Sequence, residues 1–248
     1  FEDSEVAVID PDENGMGEIV ARTAGMFLGY YKDEASTRED VVDGWMHTGD
    51  AGYFKRENGH LVVVDRVKDL ATTARGDRFS PQYIENKLKF SPFISEAVIL
   101  GAGRPYLAAI CCIRYGIVAK WAEQRGIPFT NYTNLSAQPQ VYEMIEREVR
   151  KVNEKLPEWQ QIRKFLLLYK ELDPDDGELT RTRKVRRTVI GEKYADIIEA
   201  VYSGRDTVDV DTVITFQDGT TSRVQTALKV VDMEPDASEP SALRTAAQ

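Results

Sequence analysis

Apolar and polar positions change rhythm near residue 65. Before it, apolar residues come in short bursts separated by turn residues. Val6–Ile9 and Glu18–Ala21 read as strands around an Asp12–Gly17 turn. Asp33 is placed to cap a short helix running to Val42, because its carboxylate can accept from the free amides of the first turn. Asn58-Gly59 predicts a hairpin turn between Gly52–Phe54 and His60–Val64, since both residue types tolerate positive φ. These elements make a small β-rich unit.

From Asp69 onward, helical and strand patterns interleave. Ser80-Pro81 is a helix start, with Ile84 and Leu88 then sharing a face. Ile94–Leu100 and Leu107–Ile113 are strands around a Gly101–Pro105 turn, and a helix near Val118–Arg125 ends at Gly126. Pro139 opens a long helix whose apolar stripe is Val141, Ile145, Val149, Val152 and Leu156, stopped by Pro157. Phe165–Leu168 is a short buried strand and Val185–Tyr202 a last helix. Val208–Phe216 and Arg223–Val231 flank Asp218-Gly219 as a hairpin, which needs another element to pack on. Glu234–Gln248 reads as a tail.

The fold class is therefore α+β: a β-rich subdomain over residues 1–66, a compact α+β domain over 67–204, a C-terminal β-hairpin over 205–232 and a flexible tail over 233–248. No internal repeat is visible. The chain opens on Phe1 and runs straight into a strand, which reads as part of something longer.

Composition narrows the function. With 32 Lys+Arg against 41 Asp+Glu, the formal charge is −9, which argues against a general nucleic-acid binder. The 2 Cys are too few for a zinc site, and 2 His exclude a His-rich metal centre. Cys111 and Cys112 are adjacent in an apolar strand and read as buried filler in a reducing compartment. No run approaches the roughly 20 apolar residues of a membrane span.

Three local patterns carry candidate chemistry. The first is Gly44–Tyr53, where Asp50 follows a Gly turn; a carboxylate suits two vicinal ribose hydroxyls, each donating to one oxygen. Taken alone it reads first as a plain turn acid. The second is Asp65-Arg66-Val67-Lys68-Asp69 and the Thr72–Phe79 segment after it, a polar junction where a hinge would sit. Arg66 has a fork for ribose or phosphate, and Gly76 serves a turn. The third is Glu178–Arg187, where Arg181, Arg183, Lys184, Arg186 and Arg187 concentrate positive charge in an acidic chain. Such a loop can hold an anion, with a lysine as a mobile point charge.

The order of these motifs resembles the adenylate-forming (AMP-binding) acyl-CoA synthetase superfamily. The residues that carry it are Gly29-Tyr30-Tyr31-Lys32 with Glu34 and Thr37, Trp45 with Thr48-Gly49-Asp50, Asp65–Asp69, Gly76, Pro81, Ile84-Glu85, and Thr180, Thr182 and Lys184–Arg187. Phe79–Lys89, Leu156–Trp159 and Ile162–Phe165 are similar to the long-chain fatty acid–CoA ligase branch. The resemblance implies acyl-AMP formation from a fatty acid and Mg2+-ATP, then transfer of the acyl group to coenzyme A, with a small domain rotating between the steps. It implies that Asp50 binds the ribose hydroxyls, Arg66 assists there, Lys68 is the hinge, Gly76 lies in the loop lining the pantetheine channel, and Lys184 is the catalytic cation of adenylation.

Two departures stand out. The family's Ser/Thr/Gly-rich phosphate loop and its Tyr-Gly-x-Thr-Glu segment are absent from these residues. Arg181 and Arg183 stand where many relatives have Pro and Gly. The chain is then expected to be the C-terminal part of a ligase, inactive alone, with fatty acid, ATP and coenzyme A held together with an N-terminal domain. An exposed face of the β-rich part is expected to self-associate. The expected location is cytoplasmic, peripheral at the membrane in the full-length protein, with no nucleic-acid partner and no metal held by these residues. The alternatives are a stand-alone, non-catalytic nucleotide- or partner-binding module, or another adenylate-forming enzyme; the reading frame upstream of Phe1 separates the first of these from a ligase.

Overall fold

The structure, a computed structural model, describes residues 4–215 and 221–233. The expected Asp218-Gly219 turn and the Glu234–Gln248 tail lie outside the described residues. The contacts divide the chain into two compact units, Phe1–Asn86 with Gly101–Pro105, and Lys87–Leu100 with Tyr106–Gln248.

The first unit contains β1 (Ser4–Ile9), β2 (Gly17–Thr23), α1 (Glu34–Asp40), β3 (Val41–Val42), β4 (Trp45–Phe54) and β5 (Leu61–Arg66). The strands form one five-stranded antiparallel sheet in the order β1-β2-β4-β3, with β5 also on β4. Met16, Ala51, Tyr53 and Val64 form its core, joined by the partly buried Val62, Leu70 and Tyr83. A short hairpin of β6 (Ala71–Thr72) and β7 (Arg78–Phe79) follows, and then α2 (Pro81–Lys89) begins.

Two expectations in this unit are corrected. Asp33 does cap α1, its Oδ1 accepting from the Ser36 amide at 3.0 Å, but the helix ends at Asp40. Val41–Val42 are β-branched and pair with Met46 and Trp45 instead. β4 starts at Trp45 rather than Gly52, after an additional tight hairpin turn at Asp43-Gly44 with φ of 50° and 78°. The hairpin expected around Asn58-Gly59 is present, β5 pairing antiparallel with β4 from Phe54 opposite Leu61; only Gly59 takes positive φ, inside a longer loop closed by Lys55 N to His60 O.

The second unit contains β8 (Ile94–Leu100), β9 (Leu107–Ile113), α3 (Tyr115–Glu123), α4 (Tyr132–Ser136), α5 (Pro139–Asn153) and β10 (Ile162–Leu167). It continues with α6 (Arg187–Lys193), α7 (Ala195–Tyr202), β11 (Thr207–Thr215), β12 (Thr221–Lys229) and β13 (Val231–Asp232). Its sheet has the order β13-β10-β9-β8; β9 and β10 run parallel and the other pairs antiparallel. Every residue of β9 is buried, so the sheet is covered on both faces. Val98, Ala108, Ile110, Cys112 and Leu166 face Ile190, Ile197 and Val201 of α6 and α7 and Val208 and Leu228 of the hairpin. Tyr142 of α5 lies beside Phe165, ring centroids 6.2 Å apart.

Both cysteines are free and fully buried, and burial pushes the Cys111 thiol up to about 12 and the Cys112 thiol higher still. The expected single helix Val185–Tyr202 is two, broken at Tyr194 (φ −112°, ψ 24°), whose side chain is buried. α5 stops at Asn153, before Pro157, because the Asn153 amide exchanges two 2.9 Å hydrogen bonds with the Ile162 backbone. Val231 belongs to β13 on β10, not to the hairpin.

Candidate functional site

Asp50 does not sit in a turn; it lies within β4, between two register irregularities. Pairing with β2 shifts between Glu18 and Val20, and pairing with β5 shifts between Ala51 and Gly52. Such bulges re-aim a side chain. Gly49 takes φ 66°, and its amide donates to Glu18 Oε1 at 3.1 Å. The other Glu18 oxygen meets His47 Nδ1 at 3.1 Å. Thr48 Oγ1 donates to Ile19 O at 2.6 Å and accepts from the Asp50 amide at 3.1 Å. Glu18 and Thr48 thus hold the irregular backbone that presents Asp50.

Asp50 and Arg66 are cross-strand partners. Arg66 Nε stands 3.2 Å from Asp50 Oδ1, while its Nη1 donates to Thr48 O at 3.0 Å. The side chains remain 57% and 38% exposed respectively for Arg66 and Asp50, and Asp50 Oδ2 accepts no hydrogen bond from the described residues. A carboxylate so held keeps acceptor capacity for hydroxyl donors. Next to Arg66, Asp65 accepts from the Ser80 hydroxyl, whose oxygen accepts from the Tyr83 amide at 3.0 Å. The helix start of α2 is therefore tied to the strand carrying Arg66.

Lys68 is exposed in a single 3-10 turn, Val67–Asp69. Gly76 caps the β6–β7 hairpin with φ 95°, and its amide donates to Thr73 O at 3.1 Å. A β-carbon there would meet nothing within 4 Å, so the glycine answers to backbone conformation rather than crowding. The hairpin is anchored by Asn14 Nδ2 to Asp77 Oδ1 at 2.6 Å and Arg78 Nη1 to Asp10 O at 2.9 Å.

Asp50, Arg66, Lys68 and Gly76 belong to the first unit and Lys184 to the second. Lys184 lies on a loop closed by the Leu179–Val185 bridge, with Thr180 N donating to Lys184 O at 2.8 Å. Its side chain is exposed and has no ion-pair partner among the described residues, leaving its charge open to an anion. α6 begins at Arg187 rather than at the expected Val185, so Arg181–Arg186 is loop.

The base of that loop is pinned by Glu178, which is fully buried. Its carboxylate accepts from Lys170 Nζ at 2.9 Å, Tyr194 Oη at 2.6 Å and the Asp173 amide at 2.9 Å, and Lys193 Nζ stands 2.7 Å away. Its carbonyl accepts from the Arg186 amide at 2.9 Å. Burial pushes the Glu178 carboxyl up, but the bonds from Lys193, Tyr194 and Lys170 outweigh it, and its pKa lies below the ordinary value. Asp176 is likewise lowered, its bonds to Lys170 and Lys193 overcoming burial. Burial works against the Lys170 charge, yet Asp176 and Glu178 raise its pKa.

Sequence reasoning missed Glu18, Glu96 and Glu178. A signal existed for two of them: Glu96 interrupts an apolar strand, and Glu178 is the last acid before a basic run. Among the described residues, no cluster of His, Cys, Asp and Glu could hold a metal ion, and no helix is long and apolar enough to cross a membrane.

The profile of the AMP-binding enzyme C-terminal domain matches residues 68–206, more than half of the chain. The chain belongs to that family. Its match ends one residue before β11. A long-chain-fatty-acid–CoA ligase of Mycobacterium tuberculosis, FadD15, is 34% identical over 188 residues, 75% of this chain and 31% of the relative. The Drosophila melanogaster long-chain-fatty-acid–CoA ligase heimdall is 31% identical over 232 residues, 78% of this chain and 34% of that one. The chain thus spans about a third of the length of these curated relatives. Among solved structures, the adenylation domain of a carboxylate reductase from Mycobacterium chelonae covers 81% of this chain and 31% of its own, with 22% identity and a TM-score of 0.49.

Proposed function

We propose that these residues are the C-terminal portion of an ATP-dependent long-chain fatty acid–CoA ligase. The observation that carries this reading is the 34% identity to a long-chain-fatty-acid–CoA ligase over 75% of the chain. The reaction would join a fatty acid to AMP with release of pyrophosphate, then pass the acyl group to the thiol of coenzyme A.

The geometry supports a division of roles. Asp50, with Oδ2 open, accepts from the ribose hydroxyls, and Arg66 orients it from Oδ1 while adding positive charge beside the nucleotide. Lys68, in its single turn beside Arg66, is the hinge between residues 1–66 and the domain over 67–204. The Gly76 hairpin meets the pantetheine arm. The exposed Lys184 ammonium neutralises charge developing at the α-phosphate and the attacking carboxylate. Magnesium would accompany ATP, and the described residues offer no cluster of His, Cys, Asp and Glu for it. By itself this portion is inactive, and the location is cytoplasmic with peripheral contact to the lipid substrate.

The test is fatty-acid-dependent ATP–pyrophosphate exchange by the full-length protein, with Lys184→Ala beside it. Exchange should fall by about 10²–10³ in the variant, the usual cost of one preorganised charge contact. Thioester formation from supplied acyl-adenylate should be spared. No exchange with short or long acids, or equal loss in both half-reactions, overturns the reading.

A further inference from the structure

The tip of the Lys184 loop holds a conformation that its residue type disfavours. Arg183 has φ 59°, in the left-handed region where a β-carbon crowds the backbone. The turn closes around it: the Arg183 amide donates to Thr180 O at 2.9 Å, and the Lys184 amide donates to Thr180 Oγ1 at 3.0 Å. Glycine would take this φ at no steric cost, so an arginine here needs a compensating contact.

Glu96 of β8 supplies that contact. Arg183 Nε and one Nη both stand 2.9 Å from Glu96 Oε1. Unlike an ordinary surface pair, the acceptor side chain is 4% exposed while the arginine is 60% exposed. Lys89 Nζ, 3.3 Å from the other Glu96 oxygen, is its second cation. The carboxylate is thus fixed in the body of the unit, and the arginine reaches back to it from the loop.

We propose that Arg183 is a positioning residue for Lys184: its ion pair with Glu96 holds the left-handed turn and so aims the ammonium of the next residue. The inference rests on the reading of Lys184 as the adenylation cation. It assigns the basic residue before Lys184 to the loop's own geometry rather than to substrate.

The experiment compares Arg183→Ala and Arg183→Gly with wild type and Lys184→Ala in the full-length protein. Alanine keeps the β-carbon and loses the ion pair; glycine loses both the pair and the strain. ATP–pyrophosphate exchange should fall about tenfold in kcat with Arg183→Ala, the scale of a left-handed β-carbon penalty, with the KM for ATP unchanged. Arg183→Gly should recover most of that loss. Thioester formation from supplied acyl-adenylate should stay at the wild-type rate in both. Alanine at the wild-type exchange rate, or glycine as slow as alanine, overturns the proposal. Amide hydrogen exchange over residues 180–186 judges the latch without any activity: protection should drop in Arg183→Ala and return in Arg183→Gly, and unchanged protection in Arg183→Ala overturns it. A wild type with no pyrophosphate exchange strikes the reading of Lys184 instead, while the amide data still decide on Arg183.

Discussion

Asp50 and Arg66 face each other across β4 and β5, with Asp50 Oδ1 3.2 Å from Arg66 Nε. The Asp50 side chain stays 38% exposed, no hydrogen bond from the described residues reaches its Oδ2, and Arg66 is independently tethered to Thr48 O. The pair is therefore built on rigid strands yet half open, the arrangement a binding carboxylate needs.

Asp50→Ala should raise the KM for ATP in the full-length protein by about 10- to 100-fold, since hydrogen bonds to a charged group contribute about 1.5–3 kcal/mol. Thermal unfolding should move little, because a largely exposed ion pair such as Asp50–Arg66 contributes about 1 kcal/mol or less. An unchanged KM with reduced Tm would assign Asp50 to the fold and not to nucleotide.

At Gly76 the expectation is a backbone effect. Gly76→Val should cost about 1–2 kcal/mol through its positive φ, with no clash to add, and Gly76→Asn should cost less, as asparagine accepts left-handed backbone. Urea unfolding of the pair of variants checks this; equal costs would mean that something other than φ selects the glycine.

Glu178→Ala would leave the Lys170 and Lys193 ammoniums without their shared buried carboxylate. Breaking a buried pair from one side costs about 3–5 kcal/mol. Tyr194→Phe, which removes one hydroxyl donor to a charged group, should cost less, about 1.5–3 kcal/mol. Denaturant midpoints that rank the two substitutions the other way would show that the network is not centred on Glu178.

The same network sets a pH dependence. Glu178 and Asp176 have lowered pKa values, so the stability they contribute is complete above the ordinary carboxylate range near ~4 and is lost as pH falls through their folded values. Lys170 is raised, so its contribution is complete below ~10.4 and is lost as pH rises through its folded value. A plot of Tm against pH should be flat between these limits, and Glu178→Gln should weaken the acid limb. An acid limb of the same depth in the variant would place the titrating groups elsewhere.

The strands Ile94–Leu100 and Leu107–Ile113 and the helix starting at Pro81 were determined by the sequence alone. An unbroken apolar run between turn residues, or a Ser-Pro start, reports on its own neighbourhood and needs no partner to be read. The motif order around Asp50, Arg66, Lys68, Gly76 and Lys184 was legible for the same reason. The tertiary structure decided what holds those residues. Tyr194 breaks the last helix because its hydroxyl is drawn inward to Glu178, a preference no helical periodicity carries. Asp50 is aimed by bulges that exist only once β4 lies between β2 and β5. The Arg183–Glu96 pair joins positions 87 residues apart, and a charge pair at that separation leaves no local pattern: each partner, read alone, is one more charged side chain, and only the fold brings them within hydrogen-bond distance.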